Sequence, residues 1–114
     1  MGEVVSPERV RGMEIFQGLS DEEYEMVAKV CRQEFYEEGS VIFNEGEESR
    51  KIYIVDSGRI VCESEVAPGK RVVVGDEVKG GIFGWSALVS PYHYTATVRT
   101  TQRTMVIVID GRQM

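Results

Sequence analysis

Residues 37–61 read EEGSVIFNEGEESRKIYIVDSGRIV, and this stretch decides the fold class. Its apolar residues arrive in short bursts, Val41-Ile42-Phe43, then Ile52-Tyr53-Ile54-Val55, then Ile60-Val61, and all are β-branched or aromatic. Between the bursts stand Glu38-Gly39, Glu45-Gly46 and Asp56-Ser57-Gly58. Such residues turn a chain, because glycine accepts positive φ and Asp or Ser bonds to nearby backbone. Short β-branched runs bounded by breaks of this kind read as strands. Carried on to Val66, KIYIVDSGRIVCESEV reads as a hairpin about Asp56-Ser57-Gly58.

Downstream the pattern repeats. APGK turns the chain into RVVVGDEV, and later TATVRT and TMVIVID flank a polar Thr101-Gln102-Arg103 turn. From Gln33 onward this gives about eight short strands, the signature of an antiparallel sandwich, jelly roll or barrel. Upstream the periodicity is helical. Ser20-Asp21-Glu22-Glu23 is a capping box, with Leu19 and Tyr24 placed for a hydrophobic staple. Met26, Val27, Val30 and Cys31 share one helical face, so the spacing predicts a helix from about Asp21 to about Arg32. A shorter helix is expected over Pro7 to Met13, capped by Ser6. The reading is a mainly β chain with N-terminal helices, one domain over 1–114: a helical lead-in at 1–32 and a roll at 33–110.

A chain of 114 residues has the size of one domain, and 42% hydrophobic with 28% charged residues is a globular composition. The net charge of −6, with no run of basic residues, argues against nucleic-acid binding. No apolar run approaches the ~20 residues of a membrane helix, so no membrane span is expected. The opening MGEVVSPERVRG has no apolar core of a secretory signal, which points to the cytoplasm, although MGEVVS fits the loose myristoylation pattern. Cys31 and Cys62 sit in apolar contexts, as reduced core thiols would. Catalysis has no candidate residues: one histidine, no Gly-x-Ser-x-Gly, no Walker loop. A metal-dependent cupin-like enzyme, the third reading of such a roll, would need two or three histidines.

The segment from Glu37 to Val61 resembles the cyclic-nucleotide-binding domain family, of the type in catabolite activator proteins and regulatory subunits of cyclic-AMP-dependent kinases. Gly39 before Ile42-Phe43, the Glu45-Gly46 turn, the Tyr53-Ile54-Val55 strand and the Ser57-Gly58 corner carry the resemblance. Phe16-x-Gly18-Leu19-Ser20-Asp21 is similar to the family's opening helix. The resemblance implies an antiparallel β-roll, a double-stranded β-helix or jelly roll, and a cyclic nucleotide as ligand, with no other cofactor and no metal.

It also implies a phosphate-binding cassette, whose short helical turn aims backbone N–H groups at an anion. The corresponding stretch is GWSALVSPYHYTATV. Gly84, Ala87, Leu88 and Ala96-Thr97-Val98 match the family's pattern, and Ser86 and Thr95 complete the candidate site. Two positions depart. Trp85 stands where the family has a glutamate that accepts from the ribose hydroxyl, and an indole cannot accept. Tyr94 stands where the family has the arginine that neutralises the phosphate. Losing both contacts costs on the order of 3–5 kcal/mol. The expectation is that Gly84 to Leu88 keep a helical turn, that Trp85 or Tyr94 fills part of the nucleotide site, and that Tyr92, His93 and Tyr94 offer an aromatic contact patch. After TMVIVID, where the family continues into capping helices, only Gly111-Arg112-Gln113-Met114 follow. Exposed apolar surface, and with it a homo-oligomer or a partner protein, is therefore expected. The first functional reading is a non-enzymatic sensor domain with lost or altered nucleotide affinity; the alternative is a functional cyclic AMP or cyclic GMP receptor.

Overall fold

The computed structural model describes residues 3–48, 50–84 and 93–110. The described elements are β1 (Glu3–Val4), α1 (Pro7–Arg11), a 3-10 turn (Glu14–Phe16), α2 (Asp21–Val30), β2 (Cys31–Tyr36), β3 (Val41–Phe43), β4 (Lys51–Ser57), β5 (Ile60–Ala67), β6 (Lys70–Glu77), β7 (Ile82–Phe83), β8 (Thr97–Thr100) and β9 (Thr104–Asp110). The strands form two antiparallel sheets, in the orders β1-β2-β9-β4-β7 and β3-β8-β5-β6. This is the expected mainly β roll with N-terminal helices.

The capping box forms as the spacing predicts. The Glu23 N–H donates to Ser20 Oγ at 3.2 Å, and the Ser20 N–H donates to Glu23 Oε1 at 2.8 Å. Ser6 caps α1 more simply, its Oγ accepting from the Arg9 N–H at 3.2 Å. The buried face of α2 is shifted from the expected one: Val27, Val30 and Cys31 pack on the core as expected, with Tyr24 and Ala28 more deeply buried than the two valines, whereas Met26 is 66% exposed. Tyr24, Ala28 and Cys31 follow a spacing of four and three, so the bulky phenol sets which side of the helix docks. The helix stops at Val30 and β2 begins at Cys31, a little before the expected boundary.

Lys51–Val66 is not a hairpin. β4 pairs with β9 and β7 in one sheet, and β5 pairs with β6 and β8 in the other. Asp56-Ser57-Gly58 is therefore a corner that carries the chain between sheets. Thr101-Gln102-Arg103 crosses back in the same way, and the two corners bond to each other. The Thr101 N–H donates to the Arg59 carbonyl at 3.0 Å, and the Arg59 N–H donates to Thr104 Oγ1 at 3.2 Å. Gly58 allows this contact. Its φ is +94°, and a Cβ there would meet the Arg103 carbonyl oxygen and Thr104 Oγ1 at 2.5 Å. The pairing that does form a hairpin is β5–β6, closed by Pro68-Gly69.

Two apolar layers result. Val5, Val10, Tyr24, Ala28, Cys31, Ile52, Ile54, Ile107 and Ile109 pack between the helices and one face of the β4–β9 sheet. Phe43, Tyr53, Val55, Ile60, Phe83, Tyr94, Val98, Val106 and Val108 pack between the two sheets. Cys31 lies in the first layer and Cys62 borders the second, and both are free thiols. Burial pushes the Cys31 thiol up to about 11. Arg9 of α1 donates to Asp56 of β4 at 2.8 Å and to Gln33 of β2, tying the lead-in to the roll.

Replacement Gly58→Ala combines left-handed strain with a backbone overlap. It is expected to destabilise the fold by about 2 kcal/mol or more, read as a lower urea midpoint with an unchanged slope.

Candidate functional site

Between the sheets, where β7 ends, the roll opens into a cleft of about 280 Å³, lined among the described residues by Phe43, Cys62, Val74, Gly75, Glu77, Ile82, Phe83, Gly84, Tyr94, Thr95, Ala96 and Val98. That volume is just below the roughly 300–1,000 Å³ typical of ligand pockets. Two larger clefts lie elsewhere, one of about 840 Å³ beside α1 and one of about 430 Å³ at the Glu45–Arg71 end of the roll. Thr97 of the cassette stretch lines the 430 Å³ cleft, but Gly84, Tyr94, Thr95, Ala96 and Val98 line the small one, which therefore meets most of the described cassette segment.

Gly84 follows β7 with φ +84°. A Cβ there would stand 2.9 Å from the Lys51 carbonyl oxygen and 3.1 Å from Tyr53 Cδ1, so both dihedral and space demand glycine. Trp85, Ser86, Ala87 and Leu88, and with them the expected helical turn, lie outside the described residues. Tyr92 of the expected aromatic patch does too.

Tyr94 is buried, at 6% exposure. Its ring stacks on Phe43, with centroids 3.6 Å apart and planes 11° from parallel, and its hydroxyl donates to the Lys51 carbonyl at 3.1 Å. Its backbone is held from both directions: its N–H donates to the Glu47 carbonyl at 2.9 Å and its carbonyl accepts from the Gly46 N–H at 2.8 Å. A surface patch including Tyr94 is thus not formed; His93 beside it is exposed and bridges to Glu48. Thr95 is exposed and accepts from the Ser64 hydroxyl at 3.4 Å through its carbonyl.

Sequence reasoning did not single out Phe43, Tyr53, Phe83 and Glu77 as site residues. Tyr53 and Phe83 stack at 4.8 Å and 6°, and Phe43 lies 5.6 Å from Tyr53 and 6.0 Å from Phe83. The inward parity of Tyr53 with Val55 on β4 was the available signal. Burial, with the Tyr94 phenol beside it, holds the Tyr53 phenol well above its ordinary range, so it stays neutral. Burial and the carboxylates of Glu77 and Asp76 also raise the Cys62 thiol. Among the described lining residues the only formal charge is therefore the carboxylate of Glu77. Arg99 donates twice to Glu63, at 3.2 and 3.1 Å, but neither residue lines the cleft.

Tyr94→Phe removes one hydrogen bond and is expected to cost about 1 kcal/mol. Tyr94→Ala empties the stack and is expected to cost about 3–5 kcal/mol; urea unfolding of both variants checks the ratio.

The comparisons with known proteins follow this geometry. Residues 33–114 match the family described as the cyclic nucleotide-binding domain. A Geobacter metallireducens protein assigned to cyclic nucleotide binding superposes with TM-score 0.83 at 32% identity, over 96% of this chain and 78% of that one. The regulatory domain of Toxoplasma gondii PKA, solved with cAMP, superposes with TM-score 0.79 at 25% identity, over 93% of this chain and 41% of that one. The regulatory subunit of the cAMP-dependent protein kinase of Dictyostelium discoideum is 32% identical over 93 residues, 78% of this chain and 28% of its own length. The chain spans little more than a quarter of that relative.

Proposed function

The chain belongs to the cyclic nucleotide-binding domain family, and we propose that it is a non-enzymatic regulatory domain whose nucleotide affinity is lost or altered, working through protein contacts or another small ligand. One observation carries this reading. Where the family's arginine would meet a phosphate, Tyr94 turns its ring inward onto Phe43, and the one formal charge on the described cleft wall is the Glu77 carboxylate. A carboxylate repels a cyclic phosphate, and a neutral phenol already bonded to Lys51 offers it no charge-assisted partner. In this reading Tyr94 and Thr95, with Gly84, Trp85, Ser86, Ala87 and Leu88, are the remains of a cassette. We take residues 1–114 as one domain and place it in the cytoplasm. Among the described residues no helix is long and apolar enough to cross a membrane.

A second reading, a functional cyclic AMP or cyclic GMP receptor, is favoured by the family match itself and by the kinship with a cAMP-dependent kinase subunit. Affinity separates the two. Titration calorimetry of the chain with cyclic AMP and cyclic GMP is expected to show nothing tighter than about 100 μM, near −5.5 kcal/mol. Submicromolar saturable binding establishes the second reading instead. Trp85→Glu with Tyr94→Arg is expected to raise cyclic-nucleotide affinity by at least tenfold while lowering the melting temperature, because the arginine replaces a stacked core ring. A folded double variant with no gain would remove the nucleotide from the account of this site.

A further inference from the structure

Strand β6, Lys70–Glu77, is an edge: it pairs with β5, and among the described residues no strand lies on its other side. Its centre is apolar and open, with Val72 at 38%, Val73 at 59% and Val74 at 59% exposure. Sheet edges are commonly blunted by central charges or by bulges, and β6 has a bulge at Val74 but no central charge. Here the charges stand at the two ends. The strand reads KRVVVGDE, two cations, three valines, a glycine and two carboxylates.

We propose that β6 pairs antiparallel with β6 of a second copy of this chain, joining two four-stranded sheets edge to edge across a two-fold axis. Centred between Val73 and Val74, that pairing sets Lys70 opposite the partner's Glu77, Arg71 opposite the partner's Asp76, and Val72 opposite the partner's Gly75. The two-fold repeats each contact, as an isologous interface requires.

The backbone supports the register. Residues directly opposite in a sheet share a face. In a regular strand residues 71 and 76, five apart, would point to opposite faces. The pairing with β5 passes from Cys62–Gly75 to Glu63–Val73, so Val74 is an inserted residue and the alternation reverses across it. Ile60 and Cys62 face the roll interior, so their partners Glu77 and Gly75 do too. Glu63 and Glu65 face outward, so Val73 and Arg71 do as well, leaving Lys70 and Val72 on the inner side. Asp76, opposite Val61, is outward. The three outer pairs, Lys70–Glu77, Arg71–Asp76 and Val72–Gly75, then each share a face, which the bulge alone makes possible. Asp76 now bonds to Arg59, and Arg71 lies across from Glu65, so pairing adds a second opposite charge to each. The inference deepens the reading of the domain as an interaction module. Its test reads strand pairing whereas calorimetry reads nucleotide, so either can fail alone.

Sedimentation velocity of the full chain tests it. The unmodified chain is expected to be a dimer. Lys70→Glu with Arg71→Glu makes the strand acidic at both ends, and Asp76→Lys with Glu77→Lys makes it basic at both ends. Each variant is expected to be a monomer, and an equimolar mixture is expected to recover a one-to-one dimer, which also shows that both are folded. If either charge-reversed chain fails to fold by circular dichroism, Val73→Lys at its exposed position gives the same reading, monomer in support and dimer against. A monomeric unmodified chain, variants that stay dimeric, or folded variants that do not combine would overturn the proposal. Dimeric variants would leave the interaction-module reading standing on another face.

Discussion

The pairing of β4 with β9 is buried on both faces, and everything else leans on it. Ile52 lies opposite Ile109 and Ile54 opposite Ile107, and these four meet the helices. Tyr53 lies opposite Val108 and Val55 opposite Val106, and these four meet the second sheet. A slip of one residue would exchange the two sets, pushing the isoleucines into the roll and the tyrosine under the helices. The register is thereby fixed by side-chain size on two sides at once. Docking of α1 and α2 and closure of the roll are two consequences of one ladder.

The polar groups buried in the roll are consistent with that economy of structure. Thr97, Thr100 and Thr104 are its buried polar residues among those described, and each hydroxyl bonds the backbone of a turn. Thr97 Oγ1 accepts from the Glu45 N–H, Thr100 Oγ1 accepts from the Ser40 N–H and donates to the Glu37 carbonyl, and Thr104 Oγ1 accepts from the Arg59 N–H. Buried hydroxyls are costly unless bonded, and here each one anchors a loop that has no ladder of its own. The 44–48 turn, held in part through Thr97, in turn holds the backbone of Tyr94. The position of the site's most informative ring is thus set by a chain of contacts that begins on β8.

Family membership is carried by the scaffold, while Tyr94 forms part of the described wall of the candidate site. The roll is shared with a solved structure of similar fold, and the corner at Gly58 and the left-handed Gly84 are backbone constraints that would serve any occupant. Tyr94 is accommodated without disturbing the scaffold, because it finds a stacking partner in Phe43 and a carbonyl acceptor in Lys51.

Local chemistry was legible in the sequence wherever a few adjacent residues settle it. The capping box at Ser20–Glu23, the strand runs and the glycine breaks all follow from neighbours within a few positions. What the sequence left open depended on partners far along the chain. Asp56-Ser57-Gly58 has the composition of a hairpin turn, yet it is a corner between sheets, because the choice is made by Thr104 and Arg103 more than forty residues away. Met26 matches the apolar period of α2, yet it faces solvent, because Tyr24 and Ala28 fit the isoleucine face of the roll. From the sequence, Tyr94 is expected to help fill the site and also to join a surface aromatic patch with Tyr92 and His93. Only tertiary structure places Phe43 beneath it, since strands that alternate inward and outward reveal their faces only when the opposite sheet is in place.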